Sequence, residues 1–259
     1  MQLTIGMAAY MNEIEVWFTL QSLRLYQNLQ DTELLVVDNA GTDNMLQTVK
    51  DCRARYERYT DRVGSAAPRN HIFDAAKGEF VLCIDSHVLL APRAIAQLKW
   101  WLHDNWDDAV NLIHGPWVKS GLDGVITHYL PIWRGEQFGI WGPIEKQEHI
   151  PRQAFTVDMM ALGLFGCRKD SWLRFNADCK GFGGVEGVLA RKYQQAGRKV
   201  RCLPFLQWVH CFIKTPDRVK YPQKKEDKIR NYSLHFDELG MEEEKARMIH
   251  HMTTGEVVK

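Results

Sequence analysis

The central stretch of the chain reads Glu79-Phe80-Val81-Leu82-Cys83-Ile84-Asp85-Ser86-His87, an apolar run that ends in an acid, a hydroxyl and an imidazole. Such a run is typical of a buried parallel strand, and open α/β sheets bind ligands beyond the carboxyl ends of their strands. We therefore predict that Asp85 and His87 lie at the mouth of a site. Side chains two residues apart in an extended chain point to one side, so both can hold one cation such as Mn²⁺. A strand end that happens to carry polar residues explains these letters alone about as well.

The segments around this run alternate between strand and helix patterns. Strands are predicted at Leu3–Met7 and Glu33–Asn39, helices at Asn12–Leu29, after Gly41-Thr42-Asp43, at Pro68–Ala76 and after Pro92, and a solvated helix face at Lys50–Arg62. Three such alternations in about 100 residues indicate a mostly parallel sheet of the nucleotide-binding kind, with flanking helices. The chain has no GxGxxG, which argues against a dinucleotide dehydrogenase.

The second half has a weaker pattern. Apolar runs predict strands at Val110–Pro116, Met159–Cys167, Val200–Leu203 and Leu206–Cys211, while Lys119–Arg152 is rich in Gly, Trp and Pro without a clear period. A segment of that kind usually covers or shapes a site. A glycine-rich turn at Gly181–Glu186 leads into a helix at Val188–Gln195, and Lys224–His251 is charged with a helical tendency.

Composition narrows the class of protein. The 259 residues are 45% hydrophobic and 25% charged with a formal net charge of +1, which predicts a globular α/β protein and argues against a polyanion binder over its whole surface. We see no signal peptide and no transmembrane run, and the six cysteines form no CxxC pair. We therefore expect a cytoplasmic protein with reduced thiols and no membrane span.

A divalent cation at this site requires a third ligand. His210 is our candidate, because it ends a predicted strand. Taken alone, a histidine between Val209 and Cys211 is more often a packed core residue.

Several motifs together resemble one family. Asp85-Ser86-His87 resembles the Asp-x-His motif of the polypeptide N-acetylgalactosaminyltransferases, a variant of the Asp-x-Asp motif of GT-A glycosyltransferases. The resemblance continues, in the same order, through Val36–Asp43, Ala75–Glu79, Met160–Phe165, Gly181–Glu186 and Val209–Phe212, and covers roughly residues 3 to 235. It implies a GT-A catalytic domain over 1–213, with a nucleotide-sugar-binding half at 1–115 and an acceptor-side half at 116–213, followed by a basic loop and helical extension at 214–259.

The resemblance also implies roles for individual residues. Asp85, His87 and His210 would bind Mn²⁺, or Mg²⁺ in its place, and through it the diphosphate of a UDP-sugar. Glu186 would deprotonate the acceptor hydroxyl if the reaction inverts the sugar, or only orient sugar and acceptor if it retains configuration. The implied donor-binding residues are Ala8, Tyr10, Asp38, Arg69, Asp85, Ser86, Gly163, Lys214 and Arg218.

Two departures from the family pattern affect the prediction. Val185 replaces the usual first acid of the glycine-rich loop, and no lectin domain or anchoring stem flanks the catalytic region. We therefore expect a compact bacterial or phage enzyme that transfers a hexosyl or N-acetylhexosaminyl group. The acceptor stays open among a saccharide, a protein, a small molecule and a hydroxymethylated DNA base. The basic run from Lys214 to Arg230 could follow a phosphate backbone, although a solvated loop explains it about equally well.

Two other functions compete with this prediction. A non-catalytic nucleotide-sugar-binding module is favoured only by the missing acid at Val185. A nucleotidyltransferase shares the α/β plan, but it needs a glycine-rich, lysine-containing phosphate loop after the first strand. The segment Ala8–Glu13 contains neither residue type.

Overall fold

The computed structural model describes residues 2–211 and 221–255. Its strands are β1 (Leu3–Ala9), β2 (Thr32–Asp38), β3 (Arg55–Arg58), β4 (Phe80–Asp85), β5 (Val88–Leu90), β6 (Leu112–His114), β7 (Trp117–Val118), β8 (Val125–Ile126), β9 (Tyr129–Arg134), β10 (Gln137–Trp141), β11 (Phe155–Val157), β12 (Leu164–Arg168), β13 (Val200–Cys202) and β14 (Trp208–His210). Its helices are α1 (Glu13–Tyr26), α2 (Asp43–Asp51), α3 (Ala67–Ala75), α4 (Ala94–Asp104), α5 (Val188–Gln195), α6 (Lys225–Glu238) and α7 (Glu242–Thr254).

The main sheet has eight strands in the order β11-β13-β6-β12-β4-β1-β2-β3. Strands β4, β1, β2 and β3 run parallel to one another, and β12 joins β4 in the antiparallel direction. The apolar residues of β1, β2 and β4 are buried between the flanking helices, as expected for a sheet covered on both faces. The predicted α/β, largely parallel architecture is therefore confirmed.

A second, smaller sheet completes the site. Its order is β5-β14-β7-β8, and β14 pairs with β5 so that His210 lies opposite Val88. The Cys211 N–H also donates to the His87 carbonyl over 2.8 Å. This pairing is the reason that the end of β14 lies beside the turn after β4, although 123 residues separate the two histidines.

The prediction of a solvated helix face at Lys50–Arg62 is wrong. Helix α2 ends at Asp51, and Arg55–Arg58 forms the edge strand β3, paired in parallel with β2. Alternating charged residues hide an edge strand from a pattern analysis, because an edge strand needs no continuous apolar face. The Arg55 guanidinium forms ion pairs with the carboxylates of Glu33 and Glu57. These ion pairs explain why a charged residue is tolerated in this strand.

The C-terminal helices belong to the body of the protein. Helix α6 packs against α5 and α7, and its residues Asn231, Tyr232, His235 and Phe236 are buried. The segment predicted to lack a period contains the antiparallel hairpin β9–β10. No helix within 2–211 or 221–255 combines the length and the apolar character that crossing a bilayer demands.

Candidate functional site

A cleft of about 1070 Å³ lies at the carboxyl end of the parallel strands. One side is lined by the ends of β1 and β4, a second by the glycine-rich loop, and a third by the hairpin β9–β10 and the start of α6. Asp85, His87 and His210 lie in its wall together with Glu186. The position agrees with the rule that α/β sheets bind ligands beyond the carboxyl ends of their strands.

Three potential metal ligands from two distant segments converge in this cleft. One ligand atom each from Asp85, His87 and His210 lie within 4.8 Å of one another. The two imidazole Nε2 atoms are 2.9 Å apart, and the His210 Nε2 lies 3.7 Å from the Asp85 Oδ2. Strand β4 ends at Asp85 and His87 lies in the following turn, so the expectation of an extended chain there is wrong. The turn nevertheless brings both side chains to one place.

Arg69 fixes the orientation of the Asp85 carboxylate. Its guanidinium donates to the Asp85 Oδ1 over 2.7 Å, which leaves Oδ2 on the side of His210. Burial raises the pKa of the Asp85 carboxyl, but the charges of Arg69 and the neighbouring imidazoles lower it more, and the pKa lies well below its usual range. Asp85 is therefore ionised at neutral pH, as a metal ligand must be.

The donor set and its spacing fit a divalent ion. Ligands about 2.1 Å from one ion lie roughly 3 to 3.5 Å apart, close to the separations of 2.9 and 3.7 Å found here. Two imidazoles beside one carboxylate suit a metal of intermediate hardness such as Mn²⁺ better than Mg²⁺, which favours oxygen ligands.

Ser86 and Gly163 shape the immediate surroundings of these ligands. The Ser86 hydroxyl accepts a hydrogen bond from the Asn12 amide and its carbonyl accepts one from the Thr19 hydroxyl, so the residue ties the end of β4 to α1. The Gly163 carbonyl accepts the Asp85 N–H over 2.9 Å. A Cβ at Gly163 would lie 2.6 Å from the Trp208 ring, so only glycine fits there.

The predicted donor-binding residues at the other end of the cleft divide into two groups. Ala8 and Tyr10 line the cleft, and the Tyr10 ring contacts that of Phe182 edge-on at 5.1 Å. Asp38 does not line it. Its carboxylate is fully buried and accepts hydrogen bonds from the N–H groups of Ala40, Gly41 and Thr42 and from the Tyr56 hydroxyl. Asp38 thus organises the loop after β2, and it is Asn39 that lies in the cleft wall.

The predicted donor-binding residues Lys214 and Arg218 lie outside the described residues. Within the described part, the cleft wall beyond position 211 includes Tyr221, Gln223 and Lys228.

Backbone and side-chain hydrogen bonds fix the glycine-rich loop, Gly181–Glu186, in the wall of the cleft. Gly64 and Gly181 form a parallel bridge, and the Gly183 N–H donates to the Ser65 hydroxyl over 3.0 Å. At the end of this loop the Glu186 Oε2 accepts the Val185 N–H and the Tyr232 hydroxyl, each over 3.1 Å.

Glu136, Lys228 and Tyr232 are among the residues of the cleft region that sequence reasoning did not assign to the site. Lys228 and Glu136 line the wall and form an ion pair at 3.0 Å, and Tyr232 contacts Glu186 from α6. No motif marks them in the sequence, because they lie on a charged helix and on a hairpin without a clear period. The spacing of residues in the helix and in the hairpin does not indicate a binding or catalytic role.

Comparison with known proteins identifies the family. The model of the family described as Glycosyl transferase family 2 matches residues 4–165. The poly(ribitol-phosphate) beta-glucosyltransferase of Bacillus spizizenii is 32% identical over 78 residues, which are 28% of this chain and 12% of that protein. An uncharacterized glycosyltransferase of Haemophilus influenzae is 26% identical over 141 residues, 49% of this chain and 55% of that protein. The matched part of the chain thus covers 12% of the length of the first relative and 55% of the length of the second.

Solved structures show the same fold at low sequence identity. GalNAc-T7 with UDP, GalNAc and Mn²⁺ has a TM-score of 0.70 and 14% identity, covering 91% of this chain and 47% of that one. The mannosyltransferase PcManGT from Pyrobaculum calidifontis, with GDP-Man and Mn²⁺, has a TM-score of 0.59 and 15% identity, covering 98% and 70%. S. aureus TarS 1–349 with UDP-GlcNAc also has a TM-score of 0.59 and 15% identity, covering 98% and 72%. The chain therefore has the GT-A fold and belongs to glycosyl transferase family 2.

Proposed function

We propose that the protein transfers a sugar from a UDP-sugar to an acceptor hydroxyl in a reaction that depends on a divalent metal. The observation that carries the proposal is the convergence of Asp85, His87 and His210 within 4.8 Å in the same cleft as Glu186. Structural neighbours that hold UDP, UDP-GlcNAc or Mn²⁺ support it.

The three convergent residues would hold the ion, and Mn²⁺ is the metal that we propose. A divalent ion bound there supplies positive charge against the diphosphate that leaves the sugar. Arg69 keeps the Asp85 carboxylate ionised and oriented through its 2.7 Å bond, as a second ring of contacts does in metal sites. Ala8, Tyr10 and Gly163 line the space beside these residues, where we place the nucleotide sugar.

Glu186 is the proposed general base. Among residues 2–211 and 221–255, the carboxylates that line the cleft are those of Asp85, Glu136 and Glu186. Asp85 is held by Arg69 next to the two imidazoles, and Glu136 is paired with Lys228 at 3.0 Å. Glu186 is the carboxylate that stays available for the acceptor hydroxyl, so we infer an inverting transfer in which it takes that proton.

We assign the acceptor to the side of the cleft formed by the hairpin β9–β10, the loop at residues 176–187 and α6, and we call this set the acceptor wall. Saccharides, protein side chains, small molecules and hydroxymethylated DNA bases all offer a hydroxyl. Mass spectrometry of these four classes after incubation with a UDP-sugar mixture assigns the acceptor by its added mass.

The donor and metal assignments are tested by thermal unfolding. A ligand at one hundred times its Kd stabilises the protein by about 2.7 kcal/mol, so UDP with Mn²⁺ should raise the melting temperature of the wild type. The Asp85→Asn variant should lose this increase. Asp108→Asn, which alters an acid bonded to Arg201 outside the cleft wall, should keep it.

Two outcomes would contradict the proposal. No stabilisation by any UDP-sugar with or without Mn²⁺ would remove the donor assignment, and equal stabilisation of Asp85→Asn would remove the metal assignment. Binding with no transfer to any acceptor class would favour the non-catalytic module instead.

A further inference from the structure

Helix α6 holds the loop that carries Glu186. The fully buried Asn231 side chain accepts the Lys180 N–H over 3.2 Å and donates to the carbonyls of Lys180 and Gly183 over 3.0 and 2.9 Å. These bonds use both hydrogens of the amide and fix the backbone on the N-terminal side of Glu186. One face of α6 therefore determines where the loop lies.

The next residue, Tyr232, reaches the Glu186 carboxylate itself. Its hydroxyl accepts the backbone N–H of Phe138 over 2.9 Å and lies 3.1 Å from the Glu186 Oε2. A phenol has one proton, and because the Phe138 N–H is a donor, that proton is directed to Glu186. Burial and the charge of Glu186 raise the pKa of the Tyr232 hydroxyl well above its ordinary value, so the hydroxyl keeps its proton.

The geometry at Glu186 is asymmetric. Both the Val185 N–H and the Tyr232 hydroxyl donate to Oε2, and neither bond uses Oε1. One oxygen is therefore anchored, whereas Oε1 accepts no hydrogen bond from residues 2–211 or 221–255 and is left to meet an acceptor. An anchored carboxylate loses less conformational freedom when it reaches the geometry of proton transfer.

We propose that Tyr232 is a positioning residue for the transfer, acting through Glu186 by fixing Oε2 and presenting Oε1 to the acceptor hydroxyl. The inference rests on the proposed function, because it assumes that Glu186 is the base. It also assigns the hairpin β9–β10 a share in the reaction, since the Phe138 N–H sets the direction in which the Tyr232 proton points.

The test compares two buried tyrosines. In Tyr232→Phe the ring stays and the hydroxyl is lost, and we expect kcat to fall roughly 10-fold while KM for the UDP-sugar stays unchanged. Tyr193→Phe is the matched control. The Tyr193 hydroxyl is fully buried, accepts the Leu173 N–H and donates to the Ser171 carbonyl. These partners lie outside the cleft wall, whereas Glu186, the partner of Tyr232, lies in it. Both variants lose a buried hydrogen bond, and only Tyr232→Phe should lose kcat.

A double-mutant cycle separates positioning from a general structural effect. In a Glu186→Ala background, Tyr232→Phe should change the residual kcat no further, because its target is gone. The same fold-loss in both backgrounds, or a loss matched by Tyr193→Phe, would overturn the inference. If Glu186→Ala lowers kcat and Tyr232→Phe does not, only this inference is wrong. If Glu186→Ala leaves kcat unchanged, the base assignment is wrong and the role of Tyr232 is rejected with it.

Discussion

The half of the protein at residues 1–115, which we propose as the nucleotide-sugar-binding half, and the proposed acceptor wall are built in different ways. In the first, strands β1, β2 and β4 pair over their whole length and bury continuous apolar runs. In the second, single polar side chains hold irregular backbone, as Asn231 does for the glycine-rich loop and Tyr232 for the hairpin β9–β10. Stability in the first region is therefore spread over many contacts. In the second region the position of the backbone depends on a few hydrogen bonds.

Mutations in the two regions should therefore have different effects. Removing a buried apolar group from the sheet should lower stability, whereas removing one polar contact from the wall should disturb geometry. Asp85 and His210 lie at the junction between the main sheet and the smaller sheet, since one ends a strand of the first and the other a strand of the second. Four predictions test the comparison.

The largest effect is expected at the junction. Asp85→Asn keeps the size of the side chain but weakens its donation to a divalent ion, so we expect a loss of several kcal/mol of transition-state stabilisation, roughly 10³-fold in kcat. Steady-state kinetics with Mn²⁺ measure it, with Asp108→Asn as the control. Activity within about twofold of the wild type would show that the carboxylate takes no part.

The next effect is a loss of stability in the sheet. Leu82 is fully buried in β4, so Leu82→Ala should cost about 3 kcal/mol of unfolding free energy, measured from urea midpoints. Ile132 in the hairpin is 47% exposed, and Ile132→Ala should cost less than about 0.5 kcal/mol. Equal costs at the two positions would contradict the contrast between the regions.

Acid should destabilise the acceptor wall through His235. Burial lowers the pKa of this histidine to about 4, although its hydrogen bond to the Asn231 carbonyl opposes the shift. The folded state thus binds fewer protons than the unfolded state, whose pKa is about 6.5. The contribution of His235 is complete above pH 6.5 and is lost as the pH falls towards 4, by about 2 kcal/mol between pH 7 and pH 5.

The measurement is the pH dependence of unfolding in the wild type and in His235→Gln. The variant should show the shallower dependence. The pKa of His114 is also lowered by burial, to about 3, and its contribution is common to both proteins, so the difference isolates His235. Identical slopes would show that His235 does not carry the effect.

The smallest effect is expected at a helix cap in the nucleotide-sugar-binding half. The Thr42 hydroxyl accepts the Met45 N–H at the start of α2, and Thr42→Ala should cost about 1 kcal/mol. Thr253→Ala, on the exposed face of α7, is the control and should be nearly neutral. Thermal unfolding compares them, and an equal loss in both would argue against capping.

The sequence predicts the two regions unequally for the same physical reason. The run ending at Asp85 and the runs at β1 and β2 are recognisable in the sequence, because a strand covered on both faces must be apolar throughout. The edge strand β3 does not, since Arg55 and Glu57 need no apolar partner. Tyr232 could not be predicted either, because its role depends on a meeting with Glu186 that no local pattern encodes.

Asp38 marks the limit of the motif argument. Its type and position follow the family pattern, yet its carboxylate is used by the loop after β2. The letters specify an acid at the end of a strand. They do not specify which way it faces.

The family model matches residues 4–165, whereas Glu186 and the helix that steadies it lie beyond that span. The matched span contains Asp85 and His87 of the proposed metal site, whereas the proposed base and the residue that positions it lie outside that span. Experiments that graft specificity from one relative onto another should therefore transfer the glycine-rich turn, the hairpin β9–β10 and α6 together. A turn transferred without α6 would lose the Tyr232 hydrogen bond that orients the Glu186 carboxylate.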